Sequence, residues 1–468
     1  MTEARWSDLF TWALLPRVIL VCFGIWLNAA DSLVTTTIMP SVVRAIGGYQ
    51  YFAWPVAAYL LGSILGGATA GYFAHARGLR AALIAASVPY VVGCAMTALA
   101  HSMAVFLIGR LLQGLAAGAI VGLCYVAINV LFPPTHYRRV LALLAGVWGI
   151  ATLFGPLLGG LFARGSDWQI LFWAFVVQGF VFAGAIAILV PDRADASEDS
   201  GIPVRTLALL TFAVMANLVA GVAGNLALSV ALLATTITFL FLALRADASG
   251  RAHLFPRGVA DPRDPAGQGY IAIFLLSAST IAYGLYGAAI LQTAYGLSPL
   301  YAGYVVGVEA MGWTVTALIV AERPHATEGF WIRAGASVAV AGVVSMIFTL
   351  SSGSLIAVIV SAAFLGGGFG MFWAFLTRRV QELLPADEKT HGASAIPSVQ
   401  MLGTAVGAAL CGLEANALGV GHGFTRANVL SAAVWLFVCA VPATLVGWFF
   451  AWRIGGTEMP VNAAVSSR

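Results

Sequence analysis

Residues 146–160 read GVWGIATLFGPLLGG, placing Gly146, Gly155, Pro156, Gly159 and Gly160 inside an apolar run long enough to cross a membrane. Gly155 and Gly159 stand four apart, so one helix face is stripped of side chains and the backbone of a second helix can approach it closely. Pro156 removes a backbone donor beside that face, and hydrocarbon tolerates the freed carbonyl only where protein covers it. The stretch therefore predicts a packed, slightly bent seam between helices within a bilayer.

Composition supports the setting. Of 468 residues, 60% are hydrophobic and 9% charged, against roughly 25% charged in an ordinary soluble domain. Apolar runs of about 20 residues, enough to cross a hydrocarbon layer of about 30 Å, recur fourteen times from 17–40 to 428–452, with the opening motif in the fifth, 140–163. The first is read as an uncleaved span. The expected fold is an all-α polytopic membrane protein built as residues 1–190 (six helices), 191–268 (a linker holding two further spans, 205–223 and 226–244), 269–452 (six helices) and a tail, 453–468. The short pair 205–223 and 226–244 is the weakest part of the count, because deleting both would leave every other loop on its side.

Basic residues set the orientation. With fourteen spans, nineteen of the 23 Lys and Arg fall on one side and three (Arg44, Arg164 and Arg426) on the other, while Arg110 lies within a span. Both termini are expected to be cytoplasmic. The net charge of +4 is accounted for by this lining of the membrane surface and calls for no nucleic-acid partner. The five cysteines (22, 94, 124, 411 and 439) fall in predicted spans without close pairing, so neither disulfides nor a metal site is expected.

Four local patterns align with the spans: Asp31–Pro40 (DSLVTTTIMP) in the first, Gly71–Arg80 (GYFAHARGLR) after the second, Leu107–Gly118 (LIGRLLQGLAAG) in the fourth, and the opening motif in the fifth. Together they resemble the major facilitator superfamily, specifically its fourteen-helix drug:proton antiporter branch of multidrug efflux type. Arg110, Gln113 and Gly114 are similar to that family's fourth-helix motif, and the run 146–160 to its antiporter motif; Trp54, Tyr59 and the WQILF run at 168–172 also resemble positions of the branch. In the loop after the second span, Gly71, Gly78 and Arg80 match, but His75 and Ala76 stand where the family usually has an Asp followed by a basic residue, and Leu33 replaces a frequent Thr. The resemblance implies two six-helix bundles plus two extra helices, with alternating access between the bundles. The second half carries weaker echoes: Gly403 and Gly407, four apart in span thirteen, and Ala321, Glu322 and Arg323 as a decayed copy of the 71–80 loop.

Charged side chains at membrane depth cost about 2.5–3.5 kcal/mol each on insertion scales and are functional candidates by default. There are four: Asp31, Arg110, Glu309 and Glu414. A proton-coupled exporter needs a carboxylate that exchanges a proton and changes its affinity for cargo as it does so. Asp31 and Glu309 are the candidates, Arg110 the natural partner, and Glu414 lies nearer the outer surface. A fixed structural pair of Asp31 with Arg110 is the competing reading. Trp26, Trp54, Tyr59, Trp148, Tyr283, Tyr286, Trp313 and Trp373 are the candidate cavity aromatics, which with an acid suit a lipophilic cation; packing and interfacial belts compete for several of them. The expected activity is export of small amphipathic compounds against a proton gradient, with no cofactor, by a monomer in a bacterial cytoplasmic (inner) membrane. Two alternatives stay open: an exporter of a specific metabolite or organic anion held by Arg110, and a non-transporting sensor or scaffold. An enzyme is not expected, since all seven histidines lie in or near loops and no nucleophile with a base falls in a span.

Overall fold

The computed structural model describes residues 9, 11–12, 14–163, 167–192, 201–250, 252–321, 323–324, 327–385 and 388–457, with the side chains of 134, 138, 390, 391 and 394 excepted. Arg5, Arg164, Arg193, Arg251, Glu322, Arg468 and most of the tail 453–468 lie outside these residues, as does the side chain of Arg138. Fourteen long helices account for nearly all of the described chain: α1 Leu15–Ile46, α2 Trp54–Arg77, α3 Leu79–Ala98, α4 Met103–Leu131, α5 Tyr137–Phe162, α6 Trp168–Leu189, α7 Val204–Ala220, α8 Leu226–Ser249, α9 Pro265–Ala294, α10 Pro299–Val320, α11 Glu328–Thr349, α12 Leu355–Leu383, α13 Lys389–Ala417 and α14 Arg426–Gly456. Thirteen are long and apolar enough to cross a membrane; α7, at 17 residues, is the short one.

Several helices outrun the apolar runs that announce them. α1 reaches Ile46 rather than 40, and α9 begins inside the expected linker at Pro265, where Asp264 caps it by accepting from the Gly267 N–H at 2.9 Å. Hydrophobicity marks the hydrocarbon core, while the backbone keeps its hydrogen bonds well into the interface. Between α2 and α3 the link is a single residue, Gly78, at φ +81°. Only glycine takes that backbone without strain.

The helices pack as α1–α6 and α9–α14, with α7 and α8 paired on each other and α7 resting against α2 and α13. Glycine rows set the closest approaches. In the first bundle, a methyl group on Gly114 or Gly118 would collide with the backbone of Tyr59 or Ser63, fastening α4 to α2. In the second, a methyl on Gly366 or Gly370 would collide with the backbone of Glu309 or Trp313, fastening α12 to α10. The fifth helix of each half repeats the scheme: Gly155 and Gly159 lie on Leu33 and Thr37 of α1, and Gly403 and Gly407 on Phe274 and Ala278 of α9. The echo at 403 and 407 is thus a true structural repeat, as parallel repeats in one chain require.

The two bundles meet chiefly where α5 packs on α10 and where α2 packs on α13. Along α5, Gly160 sits directly on Leu300, and the Pro156 ring lies 3.0 Å from a methyl position on Gly303 and 3.6 Å from one on Gly307. Further down the helix the contact fades: Gly149 finds only the Thr314 methyl at 4.0 Å, and Gly146 nothing within 4 Å. Gly146 was expected in the seam and lies outside it. Across the molecule the pattern recurs, with Gly412 of α13 against Ala53 (2.9 Å) and Asn416 donating to the Gln50 carbonyl (2.8 Å), while Gly71 near the far end of α2 is uncovered. Phe52 and Phe424 pack edge to face between the loops, and Arg44 donates to Gln292 at 2.9 Å. One end of the molecule is closed and the other is splayed.

Pro156 does not interrupt α5, which runs unbroken to Phe162. Its ring fills the hollow left by Gly303 and Gly307, and the carbonyl of Thr152, freed because proline has no N–H, lies 3.9 Å from a methyl position on Gly307. α10 covers it, as the sequence required.

Candidate functional site

Asp31 is on α1 two residues from the Leu33 contact with Gly155, and Arg110 is on α4 one turn before Gly114. The glycine contacts draw these helices together, and the Arg110 Nη1 donates to Asp31 Oδ1 at 2.6 Å and to Gln113 Oε1 at 2.6 Å. Asp31 is 0% exposed and Arg110 1%. The guanidinium lies 4.3 Å from the centre of the Tyr59 ring, a cation–π contact. Tyr59 is held in turn by Asn28, whose Nδ2 donates to the phenol oxygen at 3.1 Å, while the phenol donates to the Asn28 carbonyl at 3.3 Å. Thr35 donates to the Asp31 carbonyl at 2.8 Å. Three buried polar atoms of the cluster, Asp31 Oδ2, Arg110 Nε and Gln113 Nε2, have no hydrogen-bond partner.

The cluster is closed to solvent and electrically balanced. Taking the charge from Asp31 would strand Arg110 where water cannot reach it, which costs several kcal/mol. A proton can therefore join this carboxylate only together with a rearrangement that rehydrates or re-pairs Arg110.

The second bundle shows what happens to the same positions without the pair. Because Glu309 and Trp313 meet Gly366 and Gly370 as Tyr59 and Ser63 meet Gly114 and Gly118, Glu309 is the counterpart of Tyr59. By the same register, Ala362 stands for Arg110, Leu365 for Gln113, and Ala272, two residues before Phe274, for Asp31. All three are 0% exposed. The second bundle has replaced the ionic cluster with hydrocarbon and put an acid where the first has a phenol. Glu309 is half-buried, two residues past the last contact of α10 with Pro156, and makes neither hydrogen bond nor ion pair with any described side chain. Trp313, one turn further on the same face, packs on Phe369 (5.2 Å between ring centres) and Trp373 (5.6 Å), an aromatic wall shared by α10 and α12.

The other candidates divide. Trp148 stands one turn before Thr152 and two before Gly155 and is 44% exposed. Trp26 is half-buried, donating to Gln178 at 2.9 Å. Tyr283 and Tyr286 are instead buried in packing: Tyr283 donates to the Val305 carbonyl at 2.9 Å and Tyr286 stacks on Phe52 at 5.0 Å. Trp54 packs edge-on to Tyr51 at the closed end. Glu414 is half-buried beside the Cys439 thiol, near the closed end and apart from the Asp31 cluster. The stretch 71–80, expected as a loop, is helical except for Gly78: His75 is half-buried in the last turn of α2, and Arg80 is in the first turn of α3. Among the described residues no group of three or more His, Cys, Asp or Glu could hold a metal ion.

Sequence reasoning missed Asn28, Thr35 and Tyr90, whose hydroxyl donates to the Leu27 carbonyl at 3.2 Å. Asn28, Asp31 and Thr35 fall at i, i+3 and i+7, a polar stripe along one face of α1. That spacing was the available signal.

Residues 21–408 match the family model described as Major Facilitator Superfamily. A probable multidrug-efflux transporter of Mycobacterium tuberculosis is 29% identical over 432 residues, covering 88% of this chain and 89% of that protein. Multidrug resistance protein 3 of Bacillus subtilis is 27% identical over 165 residues, 35% of this chain and 31% of its own. Among solved structures, a D-xylose–proton symporter superposes with a TM-score of 0.66 at 16% identity, covering 95% of this chain and all of that one. A human organic anion transporter gives 0.61 at 15% identity, covering 93% and 99%. With helices, glycine seams and family match in agreement, the chain is a multi-pass membrane transporter, not an enzyme, and belongs to the major facilitator superfamily.

Proposed function

We propose that this protein exports small amphipathic compounds, lipophilic cations foremost, in exchange for protons, by alternating access between the α1–α6 and α9–α14 bundles in a bacterial cytoplasmic membrane. With both termini cytoplasmic, as the arginine distribution favours, the closed end is the outer one and the molecule stands open inward. The multidrug-efflux names of the relatives support export of varied cargo.

The observation that carries the reading is Glu309. It is an acid that can gain or lose a proton without stranding a counter-charge, and, unlike Glu414 near the closed end, it stands beside an aromatic wall just below the seal. Deprotonated, it offers a negative charge among Trp313, Trp373 and Phe369, an environment that attracts an amphipathic cation; protonated, it loses that attraction. Cargo and proton then compete for one carboxylate, which is the coupling exchange needs. The Asp31–Arg110 cluster couples differently, because any change of charge there demands that α1 and α4 rearrange.

The test is efflux from liposomes under an imposed pH gradient, comparing a cationic dye with an organic acid. Glu309→Gln is expected to reduce proton-driven dye efflux by about tenfold or more, with little loss of thermal stability since no partner is left unpaired. Wild-type efflux from Glu309→Gln would remove the residue from the mechanism. Faster movement of organic acids would favour an anion exporter using Arg110, and no movement of any compound would favour a sensor or scaffold.

A further inference from the structure

We propose that the splayed end of the second bundle holds the headgroup of an anionic phospholipid in an arginine pocket between α9, α11, α12 and α14. Two adjoining cavities of about 410 and 610 Å³ open there, sharing Arg333 and Trp452. Arg263 and Arg453 line one, Arg379 the other, and no acidic residue lines either. None of these four arginines forms an ion pair among the described residues. Arg378 takes up the carboxylates that act on Arg379, with Glu328 at 2.8 Å and Glu382 at 2.7 Å. Asp261 and Asp264, the acids near Arg263, accept backbone N–H groups.

The pocket is built rather than incidental. Arg333 lies over the Trp452 ring at 5.2 Å and donates from Nε to the Trp452 carbonyl at 3.1 Å. Arg379 is 7% exposed, donates from Nη1 to the Ile454 carbonyl at 2.9 Å, and keeps a buried Nε–H without a partner. Four guanidinium groups, one of them with an unused buried N–H, around two adjoining hollows call for a multivalent oxyanion. Phosphate is the chemistry that fits.

A lipid is the source the surroundings favour. Trp452 is 43% exposed and Phe330 63%, and Trp448 adds a second indole, 5.4 Å from Trp452 between ring centres. Aromatic rings of this kind mark headgroup depth. A phosphate bound there carries its acyl chains down the exposed apolar side of α14, where Leu445, Val446 and Phe449 face outward. Basic pockets between helices at this level recognise anionic headgroups.

The experiment is native mass spectrometry of the purified full-length protein, with phosphatidylglycerol and phosphatidylethanolamine titrated separately and inorganic phosphate as a third arm. The variant is Arg263→Gln with Arg453→Gln, two exposed side chains whose loss leaves the Arg333 and Arg379 hydrogen bonds intact. Wild type is expected to retain phosphatidylglycerol over phosphatidylethanolamine. The double variant is expected to bind phosphatidylglycerol about 25-fold more weakly, from about fivefold for each arginine at the membrane surface. The double Lys variant, which keeps the charge, is expected to retain most of the binding and so separates loss of charge from misfolding. Equal retention of the two lipids by wild type, undiminished phosphatidylglycerol binding by the Gln variant, or saturation by inorganic phosphate without lipid retention would each overturn the assignment.

Discussion

Replacing Asp31 by Asn tests whether the buried ion pair is what the geometry says it is. Arg110 would keep Gln113 Oε1 at 2.6 Å and the Tyr59 ring at 4.3 Å, but lose a full negative charge at 2.6 Å with both groups essentially unexposed. Breaking one side of a buried pair costs about 3–5 kcal/mol. The Asn amide still accepts one hydrogen bond, returning about 1 kcal/mol, so the net loss should be about 2–4 kcal/mol. At about 2 °C per kcal/mol for a bundle of this size, Asp31→Asn should lower the melting temperature by about 4–8 °C in detergent. The double variant Asp31→Asn, Arg110→Gln removes both charges and should recover at least half of that fall, since neutralising a buried pair as a unit is often nearly neutral. Melting of Asp31→Asn together with wild type, or a double variant no better than the single one, would refute the claim that Arg110 depends on Asp31 for its burial.

Two further outcomes follow from the seal and the aromatic wall. Gly160→Val drives a branched side chain into Leu300 at the closed end, at a cost of about 1–3 kcal/mol; reaction of a cysteine introduced at Thr36 with a membrane-impermeant thiol reagent should rise, and unchanged labelling would show that α5 and α10 do not close that end. Trp313→Ala removes the ring that packs on Phe369 and Trp373 and should weaken binding of a cationic dye by about fivefold to thirtyfold, from a cation–π contribution of about 1–2 kcal/mol. Equal weakening for a neutral compound of the same shape would assign the wall to packing rather than to charge.

The helical plan was legible because lipid imposes it: a chain cannot cross hydrocarbon without about 20 apolar residues, and a charge such as Arg110 cannot enter without announcing itself. The seam at 155–160 was equally plain, since only glycine at Gly155 and Gly159 lets α1 touch the backbone of α5. What the sequence concealed was direction. Nothing in the string says that Gly155 and Gly159 face their own bundle while Pro156 and Gly160 face the other, or that contact ends before Gly146. Aromatic residues carried still less orientation: Tyr286 and Trp148 read alike, yet one is buried against Phe52 and the other is exposed. The correspondence of Glu309 with Tyr59 was out of reach, because it depends on which glycine meets which carbonyl, and four substitutions had already erased it from the letters.

The pairing of Asp31 with Arg110 also bears on how the chain is made. The two residues are 79 positions apart, so at about 5–20 residues per second α1 waits roughly 4–16 s in the membrane before α4 is synthesised. During that interval α1 carries a naked carboxylate whose insertion alone costs about 2.5–3.5 kcal/mol. α1 is long and apolar enough to cross the bilayer in spite of that cost, and the arrival of Arg110 relieves it. The ion pair that closes the first bundle can form only once its fourth helix has been made.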